Sequence, residues 1–382
     1  MIIEMKKKRT ILVLTFCLLF GMSFGQELSR ESSERIKADL ALSWKAEQKA
    51  KYEKALVNRV MVRDSLKMFF WWKTYGECPS DGRSLYISMH GGGNAPSTIN
   101  DQQWLNQTQL YHPSEGVYVA PRAPWNDWDM WFKPGMDEFL DDLIHTAVSC
   151  WDVNPDKVYL LGYSAGGDGV WRMGPRMADR WAAASMMAGH PGDVSLLSLR
   201  NTPFMIWCGE LDSAYDRNKM ARIRGQEMDS LSVADPGGYI HSTHIVEGKP
   251  HWMDQVDTVA ITWMQQYRRN PYPKKIVWCQ GDVIHRHFYW LTIPENEKAT
   301  KGNIVRAELR GNTIEITACD YNRIRINLND TMLNLDKKVK VRYKGKTIFK
   351  GKVARTEKHL RQSLGERGDI RYSFPSYIDV DL

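Results

Sequence analysis

The sequence predicts an α/β fold, a mostly parallel sheet with helices on both faces, followed by a C-terminal antiparallel β domain. Short apolar runs typical of buried strands alternate with helical patterns up to about residue 269, as parallel strands require. Beyond Asn270-Pro271-Tyr272-Pro273 the pattern changes to short β-rich runs separated by turns. In addition, 12 of the 15 Trp lie between Trp71 and Trp263, so the first region has the apolar content for a large core.

We predict four segments: a signal peptide over 1–25, a helical segment over 26–66, the α/β domain over 67–269 and a β-sandwich-like domain over 270–382. The first 25 residues contain a basic patch from Lys6 to Arg9, an apolar run and then small residues. This order is typical of a secretory leader, and the apolar run is too short for a membrane span. We therefore expect export to the periplasm or the extracellular space, with no integral membrane segment after cleavage.

The elements can be assigned in order. Ile36, Leu40 and Trp44 recur every fourth position, which predicts an amphipathic helix from Ser29 to about Val57. Later helices are expected from Pro134, from 165 to about 179, and from 255 to 267. Strands are expected at 68–73, 84–89, 116–120, 157–161, 181–187 and 202–208. The segment between the glycine run at 91–93 and the strand at 116 shows no strong period. In the C-terminal domain, seven strand-like runs are separated by turns, two of them at 311–312 and 344–345.

One serine lies in a small-residue turn directly after a strand-like run. Gly162 and Gly166 flank Ser164 in the spacing G-x-S-x-G, which a strand-to-helix turn needs because side chains there would collide with their neighbours. The motif alone is a weak signal, so its surroundings matter. Upstream, the run at 84–89 leads into His90-Gly91-Gly92-Gly93, where bare N–H groups could face an oxyanion. The N–H groups of Gly92 and Ala165 are the expected donors.

An acid and a histidine follow in the chain order of a Ser-Asp-His triad. Asp212 comes just after the run at 203–208, and His251 lies in a Gly-Lys-Pro loop before a helical pattern. Three other histidines are rivals: His190 at the end of another strand, and His241 and His244, which fall in a strand-like run. Asp216 is the rival acid, but it is expected instead to cap the next helix.

The segment Asn154-Pro155-Asp156-Lys157-Val158-Tyr159, leading into the turn at 162–167, resembles α/β-hydrolases. Within that superfamily it is similar to the secreted esterases that include polyhydroxybutyrate-depolymerase-like, feruloyl and acetyl-xylan esterases. The resemblance covers 67–269, roughly half of the chain. It implies that Ser164 attacks a carbonyl, that His251 transfers the proton and that Asp212 orients the imidazole. The C-terminal segment lies outside the resemblance.

Other residues are expected to contact the substrate. Trp125, Trp128 and Trp131 lie in a proline-bounded loop after a strand, at the sheet edge where ligands bind in open α/β folds. They form either a substrate-facing wall or a hydrophobic cluster that caps the sheet. His190, at the end of another strand, either lines the pocket or is a buried structural histidine. Trp252, beside the predicted catalytic histidine, is also a candidate.

Composition limits the remaining options. Five cysteines remain after the leader, without short paired spacings, so neither a metal site nor a disulfide scaffold is indicated, and no cofactor is expected. Residues 270–382 hold 22 basic and 13 acidic residues, a cationic surplus that could face acidic polysaccharide or the cell envelope, or could only aid solubility.

We therefore expect an ester substrate, with a polymer-linked ester such as an acylated polysaccharide as one option, and no nucleic-acid partner. The alternatives are a serine peptidase of the prolyl-oligopeptidase type and a non-catalytic protein that binds glycans or the envelope on a hydrolase scaffold. The sequence does not indicate the acyl group, the alcohol or the oligomeric state.

Overall fold

A computed structural model describes residues 27–382, so the predicted signal peptide lies outside the described residues. The first sheet has eight strands, namely β1 (Val60–Arg63), β2 (Leu66–Tyr75), β3 (Arg83–Met89), β4 (Gly116–Pro121), β5 (Val153–Tyr163), β6 (Ala183–Met187), β7 (Phe204–Gly209) and β8 (His241–Val246). Their order is β1-β2-β4-β3-β5-β6-β7-β8. The pairs β1/β2 and β2/β4 are antiparallel, and the other pairs are parallel. This is the α/β-hydrolase fold.

Six helices accompany this sheet: α1 (Arg30–Asn58), α2 (Ser97–Thr108), α3 (Met136–Cys150), α4 (Ala165–Arg176), α5 (Arg217–Ala234) and α6 (Val259–Met264). The strands send alternate side chains to opposite faces, as the pleat requires. Leu85 and Ile87 of β3 join one core cluster with α3 and α4, whereas Tyr86 joins a second cluster with α6. In the described range, no helix has both the length and the apolar character that a bilayer span requires.

The C-terminal part contains two further sheets and one helix: β9 (Lys275–Cys279), β10 (His287–Phe288), β11 (Leu291–Thr292), β12 (Ile304–Arg310), β13 (Thr313–Cys319), β14 (Arg323–Leu328), β15 (Val339–Tyr343), β16 (Lys346–Gly351), α7 (Glu357–Arg367) and β17 (Ser376–Asp381). The sheet orders are β16-β15-β13-β12-β9 and β10-β11-β14-β17. Pairing is antiparallel except between β13 and β15, which are parallel. The predicted turns at 311–312 and 344–345 join β12 to β13 and β15 to β16.

The C-terminal part is tied to the first sheet by apolar and ionic contacts. Leu360 and Leu364 of α7 belong to the same core cluster as Leu40 and Trp44 of α1. α7 therefore covers part of the core of the first sheet. The C-terminal part thus contributes side chains to that core as well as forming two sheets of its own.

Buried charges cross the same junction. Arg269 donates to Asp156 at 2.9 Å and to Asp369 at 2.6 Å, and Asp179 pairs with Arg367. All five side chains are buried or nearly so. Because removing one partner leaves an uncompensated buried charge at a cost of about 3–5 kcal/mol, cutting the chain near residue 270 would expose several such groups at once.

Candidate active site

Ser164 lies in the turn between the end of β5 and the start of α4. Its backbone angles, φ 59° and ψ −120°, are rare for a residue other than glycine. The flanking glycines permit this turn, because a Cβ on Gly162 would overlap the Gly166 carbonyl and a Cβ on Gly166 would overlap the Met89 carbonyl. The serine hydroxyl is therefore presented on a sharp bend at the carboxyl edge of the sheet.

The three predicted triad side chains come together. His251 Nε2 lies 2.9 Å from Ser164 Oγ, and His251 Nδ1 lies 2.7 Å from Asp212 Oδ2. Asp212 is buried in the turn after β7, whereas the imidazole of His251 is partly exposed in the loop after β8. If Asp212 accepts the Nδ1 proton, Nε2 is free to accept the proton of the serine hydroxyl. Hydroxyl, imidazole and carboxylate thus form one hydrogen-bonded chain.

Two residues that hold the His251 loop were missed from the sequence. The Tyr163 hydroxyl donates to the His251 carbonyl at 2.7 Å and accepts from the Met253 N–H at 3.1 Å. Gly209 ends β7 so close to the loop that a Cβ there would overlap the Pro250 carbonyl. The glycine was visible in the sequence after an apolar run, but no sequence signal indicates the bonds of Tyr163.

The rival histidines have other partners. His241 Nε2 lies 3.0 Å from Asp229 Oδ1, and His244 stacks on Trp207 with ring centroids 4.1 Å apart. Neither histidine lines the cavities beside the Ser164 hydroxyl.

Asp216 lies at the predicted N-cap position of α5, but the side-chain cap expected there is not formed. α5 begins at Arg217, but Asp216 has a left-handed backbone with φ 57° and ψ 28°, and its side chain accepts no hydrogen bond from the first turn of the helix. A side-chain cap is typically made from an extended backbone, which points the side chain back at the helix N–H groups. The carboxylate of Asp216 is exposed on the wall of a cavity beside Ser164.

His90 fixes the glycine loop as a neutral, buried side chain. Its Nδ1 lies 2.6 Å from the Gly91 carbonyl, and its Nε2 accepts from the Ala123 N–H at 3.2 Å. Burial lowers the pKa of His90 to about 3. The neutral ring therefore donates through Nδ1 and accepts through Nε2, which holds the loop against the sheet.

The loop leaves specific N–H groups free. The Gly93 N–H donates to Asn100 Oδ1 at 2.7 Å, so it is occupied. Gly92 has φ +102°, which favours glycine, and a Cβ there would overlap Asn100 Oδ1. Within residues 27–382, the N–H groups of Gly92 and Ala165 donate to no other protein group. These two predicted oxyanion donors border the cavities around Ser164.

The tryptophan loop matches the predicted substrate wall only in part. Trp131 is fully buried and its Nε1 donates to the His90 carbonyl at 2.8 Å, so its assignment as a substrate contact is wrong. Its apolar ring area is covered by core residues, and its one polar atom is satisfied inside the protein. Trp125 packs half-buried on the core and lines neither cavity, so this assignment is also not supported by its position. Trp128 is 61% exposed and does line a cavity with Ser164.

Ser164 lies between two cavities. The first, of about 780 Å³, also contains His251 and Trp252 and is here called the amide cavity. Its amide side chains are Gln102, Gln103, Asn106, Gln107, Gln109 and Gln255. Most of them come from α2, which the sequence did not predict because the helix is polar and lacks an apolar period. Trp252, as predicted, faces the site, with its ring 5.5 Å from that of Tyr163.

The second cavity, of about 650 Å³, is called the arginine cavity. Besides Ser164 and Ala165 it is lined by Trp128, Phe132, Asp168, Arg172, His190 and Arg217. His190 is half-buried there, and its Nδ1 accepts from the Gly192 N–H at 3.0 Å. Burial lowers the pKa of His190, so this ring is neutral near pH 7. His190 therefore lines the cavity, which was one of the two predicted alternatives, and it also accepts a hydrogen bond from its own loop.

The strand order and the serine turn are those of the α/β-hydrolase fold. Among residues 27–382, no cluster of three or more potential metal ligands was found.

Comparison with known proteins gave structural similarities only. No family model matches the chain, and no curated protein sequence matches it. A thermostable esterase is 16% identical with a TM-score of 0.42, and the match covers 56% of this chain and 64% of the esterase. The BES protein from Bacillus cereus is 12% identical with a TM-score of 0.39, covering 54% of this chain and 92% of that one. A feruloyl esterase module from Clostridium thermocellum is 13% identical with a TM-score of 0.38, and the match covers 55% of this chain and 86% of the module.

Proposed function

We propose that the protein is a serine esterase that cleaves carboxylic esters through a covalent acyl-enzyme. The observation that carries this proposal is the hydrogen-bonded chain from Ser164 through His251 to the buried Asp212, at 2.9 and 2.7 Å. In this mechanism His251 takes the hydroxyl proton as Ser164 attacks the ester carbonyl, and Asp212 stabilises the resulting imidazolium. The free N–H groups of Gly92 and Ala165 stabilise the negative carbonyl oxygen.

The position of His251 orients the substrate between the two cavities. The leaving alcohol receives its proton from Nε2 of this histidine, so the alcohol must lie on the histidine side of Ser164. His251 lines the amide cavity and does not line the arginine cavity. The alcohol half of the ester therefore binds in the amide cavity, and the acyl half binds in the arginine cavity.

The lining of the amide cavity supports a polyhydroxylated alcohol. Each amide side chain offers both donors and acceptors, which suits hydroxyl groups that also do both. Trp252, 45% exposed at the same cavity, adds an aromatic face for the apolar side of a sugar ring. We propose that the natural alcohol is a sugar unit, as in an acylated polysaccharide.

We also propose that the protein is exported, from the basic, apolar and small-residue pattern of 1–25. Amino-terminal sequencing of the protein secreted by its own cells should begin close to Gln26. A mature protein that still begins at Met1 would contradict export by this leader.

The covalent step is tested with a fluorophosphonate probe. One label per chain is expected on the wild-type protein and none on Ser164→Ala, which should also lose roughly a millionfold in kcat. Nitrophenyl esters, acetylated and feruloylated sugars and aminoacyl amides should be compared as substrates. A label that persists in Ser164→Ala, or turnover of amides without turnover of esters, would exclude the proposed esterase.

A further inference from the structure

The Arg217 guanidinium lies on the wall of the arginine cavity without a hydrogen bond. Its side chain is only 12% exposed, and its closest carboxylate oxygen, Asp212 Oδ1, is 3.6 Å away. The Nε–H is buried and has no acceptor within residues 27–382. A guanidinium has five N–H donors, and leaving such donors unmet away from water costs free energy. The Nε–H of Arg217 therefore has no acceptor among the described protein groups.

The surrounding backbone holds the guanidinium in this position. Arg217 packs over the Tyr215 ring at 5.0 Å, which covers one face of the guanidinium plane. Tyr215 and Asp216 both have left-handed φ values, 56° and 57°, directly before the arginine. A left-handed backbone is strained for a residue other than glycine, so the surrounding structure must enforce the turn. The turn brings Arg217 to the cavity instead of leaving it in solvent.

The other arginine of the cavity is already paired. Arg172 donates to Asp193 at 2.7 Å, lies 3.8 Å from Asp282 and packs over Phe132 at 5.1 Å. Two guanidinium groups thus line one cavity, and within residues 27–382 Arg172 donates a side-chain hydrogen bond to a carboxylate whereas Arg217 makes only the 3.6 Å ion pair with Asp212. Arg172 is consequently a matched control for the role of Arg217.

The remaining charged groups of the cavity do not supply the missing acceptor. Asp168 accepts from the His190 N–H at 2.6 Å, and Asp216 is exposed without an ion pair in the described part of the chain. Burial raises the pKa of Asp168 to about 6. Among the described residues no group of the cavity accepts a hydrogen bond from Arg217, and an anionic group bound in the cavity would supply such an acceptor.

We propose that the acyl half of the substrate carries a second carboxylate and that Arg217 binds it. The substrate class is the half-ester of a dicarboxylic acid with an alcohol. This inference rests on the proposed function, because it uses the acyl position assigned above. Ser164 Oγ bonds to the ester carbonyl carbon, the C–O bond to the alcohol breaks, and His251 delivers the proton to the alcohol. Water then releases the dicarboxylate, and the distal carboxylate stays unchanged throughout.

The test uses the full mature chain and pairs of methyl esters that differ only in the distal group. The monomethyl esters of succinate, glutarate and adipate are compared with the corresponding ester amides, in which a neutral amide replaces the carboxylate. Because a hydrogen bond between two charged groups is stronger than one to a neutral amide, kcat/KM should be at least about tenfold higher for the best acid than for its amide. Arg217→Gln should bring that ratio close to one, and Arg217→Lys should give an intermediate ratio.

Three results would overturn the inference. The ratio could be near one for all three chain lengths in the wild-type protein. Arg217→Gln could lower turnover of acid and amide equally, which would mean that Arg217 only positions Asp212. Arg172→Gln, expected to keep the ratio, could abolish it instead. Thermal melting of each variant must show an intact fold before the ratios are compared.

A binding measurement separates this inference from the proposed function. Glutarate and the other two dicarboxylates are titrated by calorimetry into Ser164→Ala, with and without Arg217→Gln. Binding that is lost with Arg217→Gln supports the anion site even if no ester is hydrolysed. If none of the three dicarboxylates binds while the wild-type protein hydrolyses neutral esters, the proposed anion site is wrong and the proposed esterase activity stands.

Discussion

Asp212→Asn is expected to lower kcat by about ten thousandfold while the protein stays folded. The Asp212 carboxylate accepts from His251 Nδ1 at 2.7 Å, whereas the asparagine amide can present an N–H to that nitrogen. The imidazole proton then moves to Nε2, which can no longer accept the proton of Ser164. Ten thousandfold corresponds to about 5.4 kcal/mol of transition-state stabilisation. The substitution keeps the buried volume, so the core around the residue is not emptied.

The assay is kcat on a short-chain nitrophenyl ester, with thermal melting in parallel. A matched control exists in the same protein, because Asp229 also pairs with a histidine, His241, at 3.0 Å, but on the surface. Asp229→Asn should leave kcat within about threefold and change stability by less than about 0.5 kcal/mol. The reasoning fails if Asp212→Asn keeps more than a tenth of kcat, or if its loss of activity only follows a loss of folded protein.

Three further substitutions test other parts of the site. Gly166→Ala should destabilise the protein by about 3 kcal/mol in urea unfolding, because its Cβ would overlap the Met89 carbonyl; an unchanged midpoint would contradict the close packing. The pKa of His90 falls from 6.5 in the unfolded chain to about 3 in the folded protein, so the unfolded chain binds one more proton between these two pH values. The free energy of unfolding therefore decreases as the pH drops through this range. His90→Gln should reduce that decrease by up to about 1.4 kcal/mol per pH unit, as measured by unfolding at several pH values. Asp216→Ala should change the free energy of unfolding by less than about 0.5 kcal/mol, because the Asp216 side chain makes no capping hydrogen bond. A destabilisation near 1 kcal/mol would instead indicate that Asp216 does cap the helix.

The parts of the site that follow from local sequence were predictable. The turn at Ser164 has to be flanked by glycines for steric reasons, so Gly162 and Gly166 mark it in the sequence itself. Asp212 and His251 could be chosen because each follows a strand-like run in the required chain order. Alternating strands and helices likewise predicted the sheet, because buried parallel strands are apolar on both faces.

What depends on tertiary contact was not predictable. Trp131 and Trp128 are three residues apart in one loop, yet one is fully buried and the other is 61% exposed. Which ring is covered is decided by the glycine loop packed against it, through the bond from Trp131 to His90. The cap assigned to Asp216 failed for a similar reason, because the conformation of its turn is set by the surrounding structure and not by residue type. α2 carries too little apolar surface for any periodic signal.

The packing of α7 on α1 sets an order for biosynthesis. Leu40 and Trp44 leave the ribosome long before Leu360 and Leu364, which complete the same core cluster, are made. Until then the nascent chain exposes apolar surface on α1, and the arginine and aspartate pairs around residue 269 lack their C-terminal partners. The serine turn and its triad can therefore reach full stability only after α7 has been made, so termination of the chain before α7 should be as damaging as a change in the core.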